Sequence, residues 1–218
     1  MSIGERRLYL CTPDREDLAS FIEACVRGGV DVVQLREKLT PPSRLLPRAT
    51  LARRVCADLG VPFIVNDSPE LAVECDADGV HVGQDDVGAS EARRIVGPGR
   101  IVGLSTHESA QLVVALGEPV DYVSAGPVVP TPTKPGRPGT GLAYVAETAA
   151  RCGARQPAMP FFVTGNARPD TVGEIVGAGA RRVVAVRWLT EASDPQRSAR
   201  ELRDALDQAI AAAQGLET

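Results

Sequence analysis

Several groups of residues in this chain carry chemistry at spacings that can be read. Gln34-Leu35-Arg36-Glu37-Lys38 ends an apolar run that begins at Val30. On a strand, side chains alternate, so Gln34, Arg36 and Lys38 share one face. An amide and two cations on one face can hold a polyanion and hydrogen-bond a neutral ring. A frayed strand end with solvated charges would show the same residues. Asn66-Asp67 and Gly83-Gln84-Asp85-Asp86 end two further runs. Asp67 and Asp86 could share a hard cation such as Mg²⁺, which takes one or two carboxylates and completes its shell with substrate phosphate oxygens and water. The competing reading is helix capping, with Asp67 ahead of Ser68-Pro69 and Asp86 ahead of a helix near Ser90.

Ser105-Thr106-His107 raises the question of a hydrolase. No G-x-S-x-G elbow is present, and neighbours on a strand point to opposite faces, so Ser105 reads as a hydrogen-bond donor. His81 lies mid-strand with Gly79 and Gly83 on its face, where it is either a core histidine or a substrate contact. Thr164-Gly165-Asn166 and Val186-Arg187 end the last two runs. Loops at such positions bind phosphate through backbone N–H groups, and glycine permits close approach. The stretch from Pro130 to Thr140, PTPTKPGRPGT, holds Thr131, Pro132, Thr133 and Lys134. Composition alone reads it as a linker. Its position among the other groups reads it as an anion clamp.

The elements needed to place these groups on one rim can be read from the pattern. Apolar, β-branched runs start at Leu8, Val30, Pro62, Gly79, Arg100, Asp121, Phe161 and Arg181. Their near-continuous apolar character suits parallel strands covered on both faces. Segments of helical character lie between them. Asp17 to Arg27 carries Leu18, Phe21, Ile22 and Cys25 at helical spacing. Others run over Pro42–Leu59, Pro69–Glu74, Ser90–Val96, Ser109–Leu116, Leu142–Cys152, Asp170–Gly177 and Pro195–Ala212, the last opening on an Asp194-Pro195 start signal. About eight strand–helix repeats predict a single (β/α)₈ TIM-barrel domain over residues 1–218. A doubly wound open sheet is the alternative. It is weakened by the lack of a G-x-G-x-x-G after the first strand. In a barrel these groups, His81 apart, fall at the C-terminal ends of strands, where barrel enzymes build their sites.

Composition narrows the partners. The chain has 218 residues, 44% of them hydrophobic, and a formal charge of −4. That gives no basic field for nucleic acid. No apolar run reaches the length of a membrane span. Five scattered cysteines without C-x-x-C spacing, and no signal peptide, fit a cytoplasmic protein. Two histidines without nearby cysteines make a poor zinc site. A homo-oligomer is compatible with all of this.

Taken in order, QLREK, VPFIVND, GVHVGQDD, LSTH and GPVVPTPTK resemble the thiamine phosphate synthase family over nearly the whole chain. The resemblance implies a (β/α)₈ barrel that joins a hydroxymethylpyrimidine diphosphate to a thiazole phosphate, with Mg²⁺, giving thiamine phosphate and pyrophosphate. It implies that the segment Gln34, Leu35, Arg36, Glu37, Lys38, together with Asn66 and Lys134, binds the pyrimidine diphosphate. It further implies that Asp67 and Asp86 bind Mg²⁺ and that Ser105 contacts the pyrimidine. Thr131, Pro132 and Thr133, with the backbones of Gly165, Val186 and Arg187, would take the thiazole phosphate. Lys134, Ser105, Arg36 and Lys38 would carry catalysis.

The chain departs from the family at two places. Gly165-Asn166 stands where the family often has Gly-Gly, and Arg187-Trp188 follows Val186 where it often has Ser. The nearest rival is the related thiazole tautomerase, an isomerase of the same fold that would use His107 as acid and base. The diphosphate-binding set, Lys38 and Lys134 above all, argues against it. A non-catalytic barrel that senses a phosphorylated ligand is a third reading. The carboxylate pair argues against that one.

Overall fold

A computed structural model describes residues 2–131 and 138–215. Eight parallel strands form a closed barrel in chain order. They are β1 (Leu8–Thr12), β2 (Val32–Leu35), β3 (Phe63–Asn66), β4 (Gly79–Val82), β5 (Ile101–Thr106), β6 (Tyr122–Ala125), β7 (Phe161–Val163) and β8 (Val183–Ala185). The barrel closes where β1 pairs with β8, Leu8 opposite Val183 and Leu10 opposite Ala185. The expected barrel is therefore the fold, and the open sheet is excluded.

The helices are α1 (Leu18–Arg27), α2 (Pro42–Asp58), α3 (Pro69–Glu74), α4 (Ala89–Val96), α5 (Ser109–Gly117), α6 (Gly141–Gly153), α7 (Val172–Gly177), α8 (Arg187–Thr190) and α9 (Pro195–Gly215). The four-residue α8 was not expected from the sequence. At that length no apolar period can announce a helix. Helix α1 buries the expected stripe of Leu18, Phe21, Ile22 and Cys25. Helix α9 starts as predicted, with Asp194 Oδ1 accepting from Arg197 N–H at 3.0 Å. No helix among the described residues is long and apolar enough to cross a membrane.

Strand alternation divides the side chains into two cores. Leu8, Leu10, Val33, Leu35, Val65, Val102, Val123 and Val183 point outward and are buried beneath the helices. Tyr9, Val32, Ile64, Ile101, Tyr122 and Phe162 point inward and fill the barrel with Ile3. Each large side chain buried this way contributes on the order of 1.5–3 kcal/mol. The inner rings meet edge to face, Tyr9 on Phe162 at 5.2 Å and Tyr122 on Phe162 at 5.4 Å between centroids. Gly103 makes this possible, because a Cβ there would overlap the Tyr122 ring.

The N-terminal face is clasped by Asp31. Its carboxylate accepts from the N–H groups of Arg7 and Leu8 and from Arg203 of α9, each at 2.9 Å. Asp207, also on α9, takes Arg7 and Arg203 at 2.8 and 2.7 Å. The last helix is thereby tied to the base of the first strand.

Candidate active site

Two residues above the apolar inner layer, the same alternation brings a second set of side chains inward. Cys11 follows Tyr9, Gln34 follows Val32, Asn66 follows Ile64, Ser124 follows Tyr122 and Thr164 follows Phe162. His81 follows Gly79, and Ser105 follows Gly103. The lower layer is apolar and the upper one polar. The upper layer opens to a cavity at the C-terminal end of the barrel, lined by these residues and by Arg36, Pro127, Thr131, Gly165, Asn166, Val186 and Arg187.

A chain of hydrogen bonds crosses the floor of this cavity. Cys11 Sγ donates to Gln34 Oε1 at 3.1 Å, and Gln34 Nε2 donates to Tyr9 Oη at 3.0 Å. Tyr9 Oη and Tyr122 Oη lie 3.0 Å apart. His81 Nδ1 is 2.9 Å from Tyr122 Oη, and its Nε2 is 2.9 Å from Ser105 Oγ. Ser124 Oγ donates to Ser105 Oγ at 3.3 Å. Burial drives both tyrosine hydroxyls well above the usual phenol range, so they stay protonated and act only as hydrogen-bonding groups. His81 is buried and also lines the cavity. Asn66 Nδ2 is buried without a hydrogen-bond partner among the described residues. Such a donor costs about 1–3 kcal/mol if nothing takes it, so it points to a ligand acceptor.

On the rim beside Asn66, Lys38 Nζ contacts Asp67 at 3.0 Å. Asp67 also meets Asp86. Burial, followed by that neighbouring carboxyl group, raises the Asp67 pKa. Asp86 Oδ2 accepts from Gly83 N–H at 2.8 Å, which closes the turn after β4. Neither aspartate caps a helix. Ser68 caps α3 through Leu71 N–H, and Gly88 occupies the start of α4. The capping reading fails for both, because the chain turns once more before each helix begins. A half-buried, oxygen-only pair crowded by like charge fits a hard divalent cation. Among the described residues no group of three or more His, Cys, Asp or Glu side chains could hold a metal. The remaining ligands of any such ion would be substrate oxygens and water.

The expected shared face of Gln34, Arg36 and Lys38 is modified, because β2 ends at Leu35. Gln34 and Arg36 line the cavity, while Lys38 reaches sideways to Asp67. Leu35 points into the outer core, so it can offer a ligand only its backbone. Glu37 accepts from Leu39 N–H at 2.9 Å.

Across the cavity, Gly165 and Asn166 both hold left-handed backbone, at φ 95 and 62. A Cβ on Gly165 would come within 2.6 Å of Val128 N. Asparagine tolerates left-handed backbone better than most residues, which suits it to position 166. Val186 and Arg187 line the cavity where α8 begins directly after β8. Trp188 turns away, its Nε1–H donating to Ser198 O at 2.9 Å. Thr131 lines the mouth. Pro132, Thr133, Lys134 and Arg137 lie outside the described residues. His107 donates from Nδ1 to Gly126 O and is not among the lining residues.

Sequence reasoning missed Tyr9, Cys11, Tyr122 and Ser124, and gave Thr164 no role beyond its place at a strand end. The available signal was the two-residue step from a large inward ring to a small polar group, repeated in β1, β6 and after Phe162.

Comparison with known proteins agrees with this geometry. The family model described as thiamine monophosphate synthase matches residues 8–189. The thiamine-phosphate synthase of Mycobacterium sp. (strain KMS) is 43% identical over 217 residues, covering 94% of each chain. That of Saccharopolyspora erythraea is 45% identical over 213 residues, again covering 94% of each. Among solved structures, thiamine phosphate pyrophosphorylase from Pyrococcus furiosus superposes with a TM-score of 0.82 at 24% identity, over 94% of this chain and 96% of that one. With the barrel closed, the family model spanning residues 8–189 and relatives 43–45% identical over 94% of the chain, the chain belongs to the thiamine monophosphate synthase family.

Proposed function

We propose that this protein is a transferase that couples hydroxymethylpyrimidine diphosphate to a thiazole phosphate, releasing pyrophosphate and forming thiamine phosphate. The observation that carries this reading is the division of the cavity. Arg36, Lys38 and the carboxylate pair stand on one side, the Gly165-Asn166 turn and the start of α8 on the other, and a neutral polar floor lies between. Two anionic ends and an uncharged ring between them fit such a layout.

The chemistry suits these residues. The C–O bond to pyrophosphate breaks and its electron pair leaves with the pyrophosphate. The ring's amino group feeds electrons into the resulting pyrimidine-methyl cation. The thiazole nitrogen then supplies the pair that forms the new C–N bond. No protein nucleophile is needed. The protein's work is to neutralise the leaving group and to hold the two substrates in line. Arg36 and Lys38 supply positive charge to the diphosphate. Gln34, Asn66 and Ser105 orient the pyrimidine ring. Gly165, Val186 and Arg187, with Thr131, hold the thiazole phosphate. Lys134 and Thr133 join these two groups on sequence resemblance alone. Asp67 and Asp86 would hold Mg²⁺, which when bound supplies further positive charge to the diphosphate. We place the reaction in the cytoplasm.

The isomerase reading would need His107 at the reacting atoms, and His107 does not line the cavity. The test is incubation with both substrates and Mg²⁺, with thiamine phosphate read by fluorescence after oxidation. Product that disappears with EDTA is expected. Absence of product at any Mg²⁺ concentration would overturn the reading.

A further inference from the structure

The hydrogen-bond chain beneath the cavity has a direction. Gln34 Nε2 can only donate, so Tyr9 Oη accepts from it. The Tyr9 proton then has one acceptor among the described residues, Tyr122 Oη at 3.0 Å. Tyr122, having accepted, donates to His81 Nδ1. That leaves the ring hydrogen on Nε2, which donates to Ser105 Oγ at 2.9 Å. Ser105 Oγ also accepts from Ser124. With both of its lone pairs used, its own hydrogen is turned toward the cavity. In the opposite polarity the Tyr9 hydroxyl would be a buried donor with no acceptor among the described residues, which is costly.

We propose that His81 is a positioning residue, held as the neutral Nε2–H imidazole by Tyr122, which fixes Ser105 as an obligatory donor to an acceptor atom of the bound ligand, such as a ring nitrogen. A ligand presenting an N–H or O–H at that point would meet a second donor and be refused. The floor thereby selects for the ring face that carries a lone pair. His107 provides an internal contrast. Its Nδ1 bonds a carbonyl oxygen and must carry a hydrogen, whereas the Nδ1 of His81 accepts.

The experiment has a spectroscopic and a kinetic arm, and only the kinetic arm rests on the proposed coupling reaction. A long-range ¹H–¹⁵N correlation spectrum of protein labelled in the histidine rings, near neutral pH, resolves the two rings, with His107→Asn giving the assignment. We expect His81 protonated at Nε2 alone and His107 at Nδ1 alone. His81 protonated at Nδ1, or at both nitrogens, would overturn the proposal. Tyr122→Phe removes the hydroxyl while keeping the ring that packs on Phe162. It should lower kcat/KM for the pyrimidine substrate on the order of five- to tenfold, as expected for one hydrogen bond. In a Ser105→Ala background the same change should cost under about twofold, because the two act as one unit. Equal losses in both backgrounds would show that Tyr122 and His81 do not act through Ser105. If the wild-type protein makes no thiamine phosphate, the coupling reading falls, while the spectrum still decides the tautomer of His81.

Discussion

Lys38 Nζ stands 3.0 Å from the carboxylate of Asp67, a residue held in left-handed backbone at φ 63. The ammonium offsets the charge that Asp67 shares with Asp86. A non-glycine residue in this conformation costs on the order of 1–3 kcal/mol and is retained where the surroundings demand it. Here the Asp67 N–H donates to His81 O at 2.8 Å, which holds the carboxylate on the rim.

Asp67→Asn keeps that backbone, which asparagine tolerates, and removes the charge. Mg²⁺ should raise the melting temperature of the wild type and leave Asp67→Asn unmoved. An equal shift in both proteins, measured by calorimetry, would remove Asp67 from the ligand set.

The raised pKa of Asp67 has its own signature in metal-free buffer. A group whose folded-state pKa lies above its unfolded value stabilises the fold at acid pH. That contribution is lost as pH rises through the folded-state value. Asp67→Asn mimics the protonated form, so it should melt above the wild type at neutral pH. The two should converge as pH falls into the ordinary carboxylate range. A wild type that melts higher at neutral pH would contradict this.

Gly103→Ala should damage both stability and the cavity floor. The added methyl overlaps the Tyr122 ring, whose other sides are packed by Tyr9, His81 and Phe162. Overpacking of this type costs about 1–3 kcal/mol. Urea titration should show that loss, and the His81 ring signals should move with it.

The five cysteines should differ sharply in reactivity. Burial pushes the thiols of Cys25 and Cys56 up to about 12 and that of Cys152 to about 11, and it raises Cys75 as well. They remain protonated and inert in the folded protein. Cys11 alone of the five lines the cavity. A small alkylating reagent should modify Cys11 first, and the pyrimidine substrate should slow it. Mass spectrometry that finds any of the other four labelled earlier would contradict the packing described here.

Asn166→Gly should be close to neutral, because both residues accept φ 62. Asn166→Val should cost about 1–2 kcal/mol from the left-handed backbone. It should also raise KM for the thiazole phosphate more than for the pyrimidine substrate. A reversed order of the two KM changes would put Asn166 at the other subsite.

The barrel was legible because eight apolar runs alternate with helical segments, and because the groups suited to binding substrates recur at the C-terminal ends of those runs. The cavity floor was not legible. Tyr9 and Tyr122 look like ordinary core aromatics in sequence, and their hydroxyls acquire partners only when the barrel closes and β1 faces β6 across its interior. Asp67 and Asp86 were ambiguous for a local reason: an aspartate shortly before a helix is a normal cap, and only the extra turn to Ser68 and Gly88 frees it. Lys38 fell outside the alternation rule because the strand stops at Leu35. The family resemblance located Asp67, Asp86 and Lys38 through their motifs, without the physical cause that the geometry supplies.

The clasp at Asp31 and the pairing of Leu8 with Val183 bear on how this chain reaches its fold. Both join the start of the sequence to its end. During synthesis β1 emerges well before its second neighbour, β8, and before the helix that ties it down, α9. Until then the growing sheet has an open edge at β1, with backbone groups available to another chain. Closure also brings together segments almost a full chain length apart, which makes it an entropically demanding and late event. The barrel therefore closes only after α9 has been made, and a chain that lacks it is the species most exposed to aggregation.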